Sequence, residues 1–211
     1  MSEAKHLQGV VSRYQKRIAQ YGLTQNALAT GDAVRRRIRY GVLADVGIRK
    51  RSSVLDVGCG LGSFRDYLFK ELGHVRYDGL DAVPEFIDHC RLRYPESRFY
   101  LSDFLSFRAE KPYDFIVASQ VFNNRCRDAS NEKMARQALE KAYGLCRQGV
   151  AIDFMTSGVD FHERRLFYYD PAAVFRFAKK LTKRVTLRHD YPLYEFCIYL
   201  YRDFKGWRKS R

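Results

Sequence analysis

The sequence predicts an α/β fold: a mostly parallel sheet with helices on its faces, preceded by helices and closed by an antiparallel pair of strands. Three observations predict it. The apolar run Val54–Val57 breaks into glycines at 58, 60 and 62 and passes straight into a helical pattern over Ser63–Leu72, which reads as strand, tight turn and helix. Short β-type runs then alternate with amphipathic stretches as far as residue 181, the rhythm of parallel strands joined by crossover helices. The last two runs, 184–190 and 194–201, have no helix between them, so they must pair antiparallel.

Composition sets the bounds. A chain of 211 residues suits one domain with a sizeable core. Its 46% apolar and 29% charged residues are ordinary for a globular protein. No apolar run approaches the roughly 20 residues of a membrane span, and no secretory pattern precedes the fold, so a cytoplasmic protein without a membrane partner is expected. Five cysteines at 59, 90, 126, 146 and 197 form an odd set without C-x-x-C spacing, which suggests neither a disulfide framework nor a zinc site. The formal net charge of +14 permits an anionic partner. Clusters at Arg35–Arg37 with Arg39, at Arg49–Arg51, at Lys179–Arg184 and at Trp207–Arg211 are spread along the chain. No RNA-binding motif accompanies them, so a solvated surface is the expectation.

Taken in order, residues 6–22 place Leu7, Val10, Val11, Tyr14, Ile18 and Tyr21 on one helical stripe that stops at Gly22. After a linker, Asp32 leads a second helix with Val34, Ile38, Val42 and Val46 on one face and the arginines on the wet one. The strand at Val54 follows, and then a second, Tyr77–Asp81, ending in an acid. Asp81 stands 25 positions after Asp56, close to the separation at which an acid takes the hydroxyls of a ribose; a helix cap before Pro84 is the alternative. A helix over 84–94 precedes a third strand, Arg98–Leu101, and Tyr113–Ala118 forms the fourth. Ser130 caps a helix to about Leu145, and Gly149–Phe154 is the fifth strand. Asp170-Pro171 starts the next helix as N-cap and N1. In the final strand Tyr194, Phe196, Ile198 and Leu200 alternate with their neighbours, predicting one buried face.

The glycine turn calls for a ligand, because glycine lets a cofactor approach the backbone and the next helix offers unpaired N–H groups. A dinucleotide fingerprint would space its glycines G-x-G-x-x-G. Here the third glycine comes one residue early, at Gly62, and Asp56 stands where a pyrophosphate would go. That carboxylate suits a cationic, hydroxyl-bearing ligand without phosphate, and S-adenosylmethionine fits the description.

D-V-G-C-G-L-G at 56–62 resembles the first motif of the Rossmann-like class I S-adenosylmethionine-dependent methyltransferases, and the resemblance extends over roughly residues 50 to 202. It implies a seven-stranded sheet in the order 3-2-1-4-5-7-6 with a terminal antiparallel hairpin. It also implies an N-terminal helical cap over residues 1–48 on a cofactor-binding domain over 49–211, although the two helices could simply cover a sheet edge. Cofactor contacts are implied at Asp56, Gly58, Gly60, Gly62, Asp81, Ala82 and Ser119, with Asp103 and Phe104 at the adenine site. The acceptor is expected between the ends of strands four and five and the N-terminal helices, near Tyr14, Asn123, Arg125, Asp160, His162 and Tyr169. His162 is the candidate general base for a hydroxyl acceptor, and Asn123 and Arg125 are candidates to orient it; a turn at Asn123-Asn124 is the alternative. The expected reaction is methylation of a small-molecule hydroxyl or amine, which the charge allows to be anionic, with S-adenosylhomocysteine as product and no metal. An RNA or protein acceptor is the second reading, though Ser119–Phe122 lacks the tetrad of nucleobase amino methylation. A non-catalytic module that binds the cofactor is the third.

Overall fold

The strand Ser53–Val57 (β1) lies at the centre of the sheet, paired in parallel with Arg76–Asp81 (β2) on one side and Tyr113–Ala118 (β4) on the other in the computed structural model, which describes residues 3–126 and 130–202. The cluster Trp207–Arg211 lies outside the described residues. Arg98–Leu101 (β3) extends the sheet beyond β2, and Cys146–Met155 (β5) extends it beyond β4, both in parallel. Glu195–Tyr201 (β7) then runs antiparallel between β5 and Val185–Arg188 (β6), giving the order β3-β2-β1-β4-β5-β7-β6. This is the order that the resemblance implied.

Helices fill both faces. Glu3–Tyr21 (α1), Gln25–Leu28 (α2) and Ala33–Ala44 (α3) precede β1. Ser63–Leu72 (α4) and Pro84–Arg93 (α5) follow β1 and β2, Asn131–Leu145 (α6) follows β4, and Pro171–Leu181 (α7) follows β5. The pleat sends Leu55 and Val57 into one apolar layer with Leu139 of α6 and Val174 of α7, and Val54 into the other with Leu43, Leu68 and Ile87 of α3, α4 and α5. A third, small cluster of Leu61, Val83 and Phe86 receives Val11, Tyr14 and Ile18 of α1 and Leu28 of α2. The expected caps are made: Asp32, Ser130 and Asp170 accept from the backbone N–H groups of Arg35, Lys133 and Ala172 at 2.8, 3.2 and 2.8 Å. No helix among the described residues is long and apolar enough to cross a membrane.

Three expectations need correction. Residues 25–28, read as linker, form α2. Both faces of β7 are buried from Glu195 to Leu200, because the strand lies inside the sheet with a neighbour on each side and a layer over each face. On α3, Val34 is 69% exposed, and the buried stripe is instead Arg39, Val42 and Leu43, continued by Val46. Those positions follow i, i+3, i+4, i+7 as closely as the apolar set did. Arg39 therefore faces inward and is not part of the wet face.

Candidate active site

Parallel pairing brings the carboxyl ends of β1 to β4 to one edge, and the direction of winding reverses between β1 and β4, which opens a crevice there. Asp56, Asp81, Asp103 and Ser119, one from the end of each strand, line a single cavity of about 940 Å3. Leu7, Val10 and Tyr14 of α1 and Leu28 of α2 also line it.

The glycine turn is tied to the end of β2. Gly58 and Cys59 donate their N–H groups to Leu80 O at 2.7 and 3.0 Å. Gly60 N donates to Asp81 Oδ2 at 2.9 Å, and Val83 N donates to Asp81 Oδ1 at 3.0 Å. Asp81 thus has the capping bond that was its alternative role, with Ala82 N also bonded to it, and the residue still borders the cavity. Gly58 has φ +72, and a Cβ there would lie 2.4 Å from Val121 Cγ2. Gly62 (φ +75) does not line the cavity. It opens α4, and a Cβ there would lie 2.6 Å from the ring of Tyr94.

Asp56 is 2% exposed and accepts the Tyr77 hydroxyl at 2.5 Å. Burial, with Asp81 nearby, pushes its carboxyl up to about 7 against the effect of that bond. No cation of the described residues acts on it. Asp103 Oδ2 accepts from Ser106 N and Oγ at 3.0 and 3.1 Å, which fixes the loop after β3. Phe104 is buried beside it under the Lys141 ammonium, whose Nζ donates to Leu105 O and Phe107 O at 2.6 Å.

On the other side of the cavity lies a buried ionic cluster. Arg39 donates from Nε and Nη2 to the two oxygens of Glu195 at 2.8 and 2.6 Å, and Nη1 reaches Thr30 O at 3.1 Å. Asp153 Oδ2 lies 3.8 Å from Arg39 Nε and accepts Ser119 Oγ at 3.1 Å. Gln120 N donates to Asp153 Oδ1 at 2.6 Å. Burial, and then Glu195, drive the Asp153 carboxyl well above its ordinary range, with Arg39 opposing. Arg39 stays charged against its own burial because Glu195 and Asp153 hold it so.

Of the expected site residues, Asp56, Gly58, Gly60, Asp81, Ala82, Asp103, Phe104, Ser119 and Tyr14 border the cavity. Asn123, Arg125, Asp160, His162 and Tyr169 do not. The segment after β4 pairs instead with the loop after β5: Arg125 N donates to Arg165 O at 2.8 Å and Phe167 N to Asn123 O at 2.8 Å. Ser119 to Phe122 and Asn124 still line the cavity, while Asn123 and Arg125 are engaged with the loop after β5. Asn123 Oδ1 accepts Met155 N at 3.0 Å, Arg125 Nε donates to Leu166 O at 3.1 Å, and the Tyr169 hydroxyl is buried on Phe122 O at 2.8 Å. Asp160 and His162 are exposed, with the His162 ring edge-on to Tyr168. Conversely, Arg39 and Gln120 line the cavity and were not singled out. One signal was available: Asp153 is an acid in the middle of an apolar strand, and buried charges need partners.

A sheet of this order, with a glycine turn and carboxylates at its switch point, defines the Rossmann-like methyltransferase architecture. The family model described as "Methyltransferase domain" matches residues 55–152. The chain is 35% identical over 151 residues to "Putative methyltransferase Rv1506c" of Mycobacterium tuberculosis, covering 69% of this chain and 90% of that one. It belongs to the class I S-adenosylmethionine-dependent methyltransferases. Trans-aconitate 2-methyltransferase of Enterobacter sp. (strain 638) is 33% identical over 87 residues, 41% of this chain and 34% of that protein, so the chain spans only about a third of that relative. Among solved structures, magnesium protoporphyrin IX methyltransferase from Synechocystis PCC 6803 with bound S-adenosylhomocysteine superposes with a TM-score of 0.62 at 16% identity, over 93% of this chain and 97% of that one. The N-methyltransferase NodS from Bradyrhizobium japonicum WM9, in complex with S-adenosylhomocysteine, gives 0.61 at 14% identity over 90% and 97%. At these identities the likeness shows a shared fold.

Proposed function

We propose that the chain methylates a small-molecule amine or hydroxyl in the cytoplasm, with S-adenosylmethionine seated against Asp56, Asp81 and Asp103 and the acceptor beside Ser119 and Gln120. The observation that carries this reading is Asp56: a buried carboxyl facing a cavity and acted on by no cation of the described residues. A ligand with an ammonium and a sulfonium and without phosphate suits it. Asp81, with three backbone N–H groups on its two oxygens, has acceptor capacity left for a ribose hydroxyl, and Asp103 Oδ1 stands at the loop for an exocyclic amine. Phe104 supplies an apolar wall, and Leu7, Val10 and Leu28 exclude water from the reacting centre. When bound, S-adenosylmethionine supplies an electrophilic methyl carbon. The residues around it contribute mainly by fixing the acceptor's position, which is worth much of the barrier in such a transfer. The names of the curated relatives favour a small acceptor, trans-aconitate among them.

Calorimetric titration tests the reading. S-adenosylhomocysteine should bind and NAD should not. Gly60→Trp and Asp81→Ala should each weaken binding at least about tenfold, and unaltered affinity in both rejects this seat. Steeply salt-dependent binding of an RNA homopolymer would instead assign the +14 charge to a nucleic-acid acceptor.

A further inference from the structure

Gln120 follows β4 with φ +60, a conformation that few residues other than glycine adopt. Such strain persists where the surroundings over-determine it, and it gathers at ligand sites. The surroundings here are two carboxylates. Gln120 Nε2 donates to Asp153 Oδ1 at 3.2 Å and also to Glu195 Oε2. An ionised carboxylate only accepts, so the amide's NH2 end must face the pair. Its carbonyl Oε1 takes no part in these bonds, and the residue lines the cavity. Arg39, which also lines the cavity, occupies both Glu195 oxygens and lies 3.8 Å from Asp153. Two carboxylates stand against one guanidinium beneath Gln120.

We propose that Gln120 Oε1 is the atom that recognises the methyl acceptor and that it accepts an N–H from a small primary or secondary amine. The inference rests on the cofactor seat proposed above. A carbonyl oxygen attracts a hydrogen-bond donor, best a positively polarised one, and repels a carboxylate. Held by one N–H, the neutral amine keeps its lone pair free: the new N–C bond would form as the methyl–sulfur bond breaks, the electron pair would leave on S-adenosylhomocysteine, and the product would depart as an ammonium that loses its proton to solvent. The reacting atom must then carry a donor hydrogen, which a carboxylate lacks.

The test uses analogues of S-adenosylhomocysteine in which nitrogen replaces sulfur and carries a 2-aminoethyl, a propyl or a carboxymethyl arm where the transferred methyl group stands. On the wild-type chain the aminoethyl analogue should bind at least about tenfold more tightly than the propyl analogue, the scale of one good hydrogen bond to a charged group. In Gln120→Met that preference should fall below about threefold, while S-adenosylhomocysteine itself binds within about threefold of wild type. Equal binding of the aminoethyl and propyl analogues to the wild type overturns the proposal, whatever the variant does. So does a preference that survives in Gln120→Met, or tighter binding of the carboxymethyl analogue. Failure of S-adenosylhomocysteine to bind the wild type is a different result and removes the cofactor seat as well.

Discussion

Arg39 and Glu195, 156 positions apart, meet through two hydrogen bonds of 2.8 and 2.6 Å and fasten α3 to the first residue of β7. Their side chains are 7% and 4% exposed. Removing Glu195 leaves Arg39 with Asp153 at 3.8 Å as its charge partner, and strips the hydrogen bonds from two buried guanidinium nitrogens, each such loss costing about 1–3 kcal/mol. Glu195→Ala should therefore lower the unfolding free energy by about 3–5 kcal/mol, read by urea denaturation. A loss below about 1 kcal/mol would mean that solvent reaches the guanidinium.

Asp56 predicts a proton linkage. Its carboxyl is raised from the ordinary 3.8 to about 7. In the ligand-free protein this group favours the fold below its unfolded value and loses that contribution as pH rises toward 7. A cation bound beside it stabilises the ionised form, so uptake of S-adenosylhomocysteine near neutrality should release part of a proton. Affinity should then rise from about pH 6 to about pH 8. Calorimetry in two buffers of different ionisation enthalpy counts the proton, and Asp56→Asn should abolish its release. A pH-independent affinity in the wild type contradicts the placement of the ammonium.

The two outer glycines of the turn should separate stability from binding. Gly62→Ala forces φ +75 on alanine against the Tyr94 ring and should cost about 1–3 kcal/mol of stability. Cofactor affinity should stay within about threefold, because residue 62 is off the cavity. Gly58→Ala pushes Val121 in the cavity wall and should weaken S-adenosylhomocysteine at least about tenfold. If the two variants behave alike, the division is wrong.

His162 lies exposed outside the cavity. His162→Ala should keep S-adenosylhomocysteine affinity, and turnover of any acceptor that the wild type methylates should stay within about twofold. A pH–rate profile that loses its acidic limb in this variant would restore the histidine as a base.

The sheet and the acids along its cavity edge were legible in the sequence because both are written locally. Apolar runs, glycine spacing and acids at strand ends each occupy a few consecutive residues, and parallel winding carries Asp56, Asp81 and Asp103 to one edge without further information. The acceptor side was not legible, because its parts are joined over long separations. Arg39 looked like one more arginine on a basic face until Glu195 supplied its partner, and β7 looked half-exposed until apolar layers were seen on both of its faces. The loop around His162 had a suggestive composition, but its pairing with Asn123 and Arg125 depends on backbone bonds that no side-chain pattern announces.

The N-terminal helices differ in how firmly they are held. Besides the Arg39 pair, α3 is fixed through the Tyr199 hydroxyl on Val42 O, and its C-cap residue Asp45 meets Arg188. By contrast, α1 rests on the small cluster of Leu61, Val83 and Phe86, with Gln15 reaching Glu85 at 3.0 Å. Evolution can therefore redraw the α1 wall of the cavity at small cost to folding. Related chains could exchange one substrate for another by drift in a single amphipathic helix, while the strand ends that line the cavity stay constant.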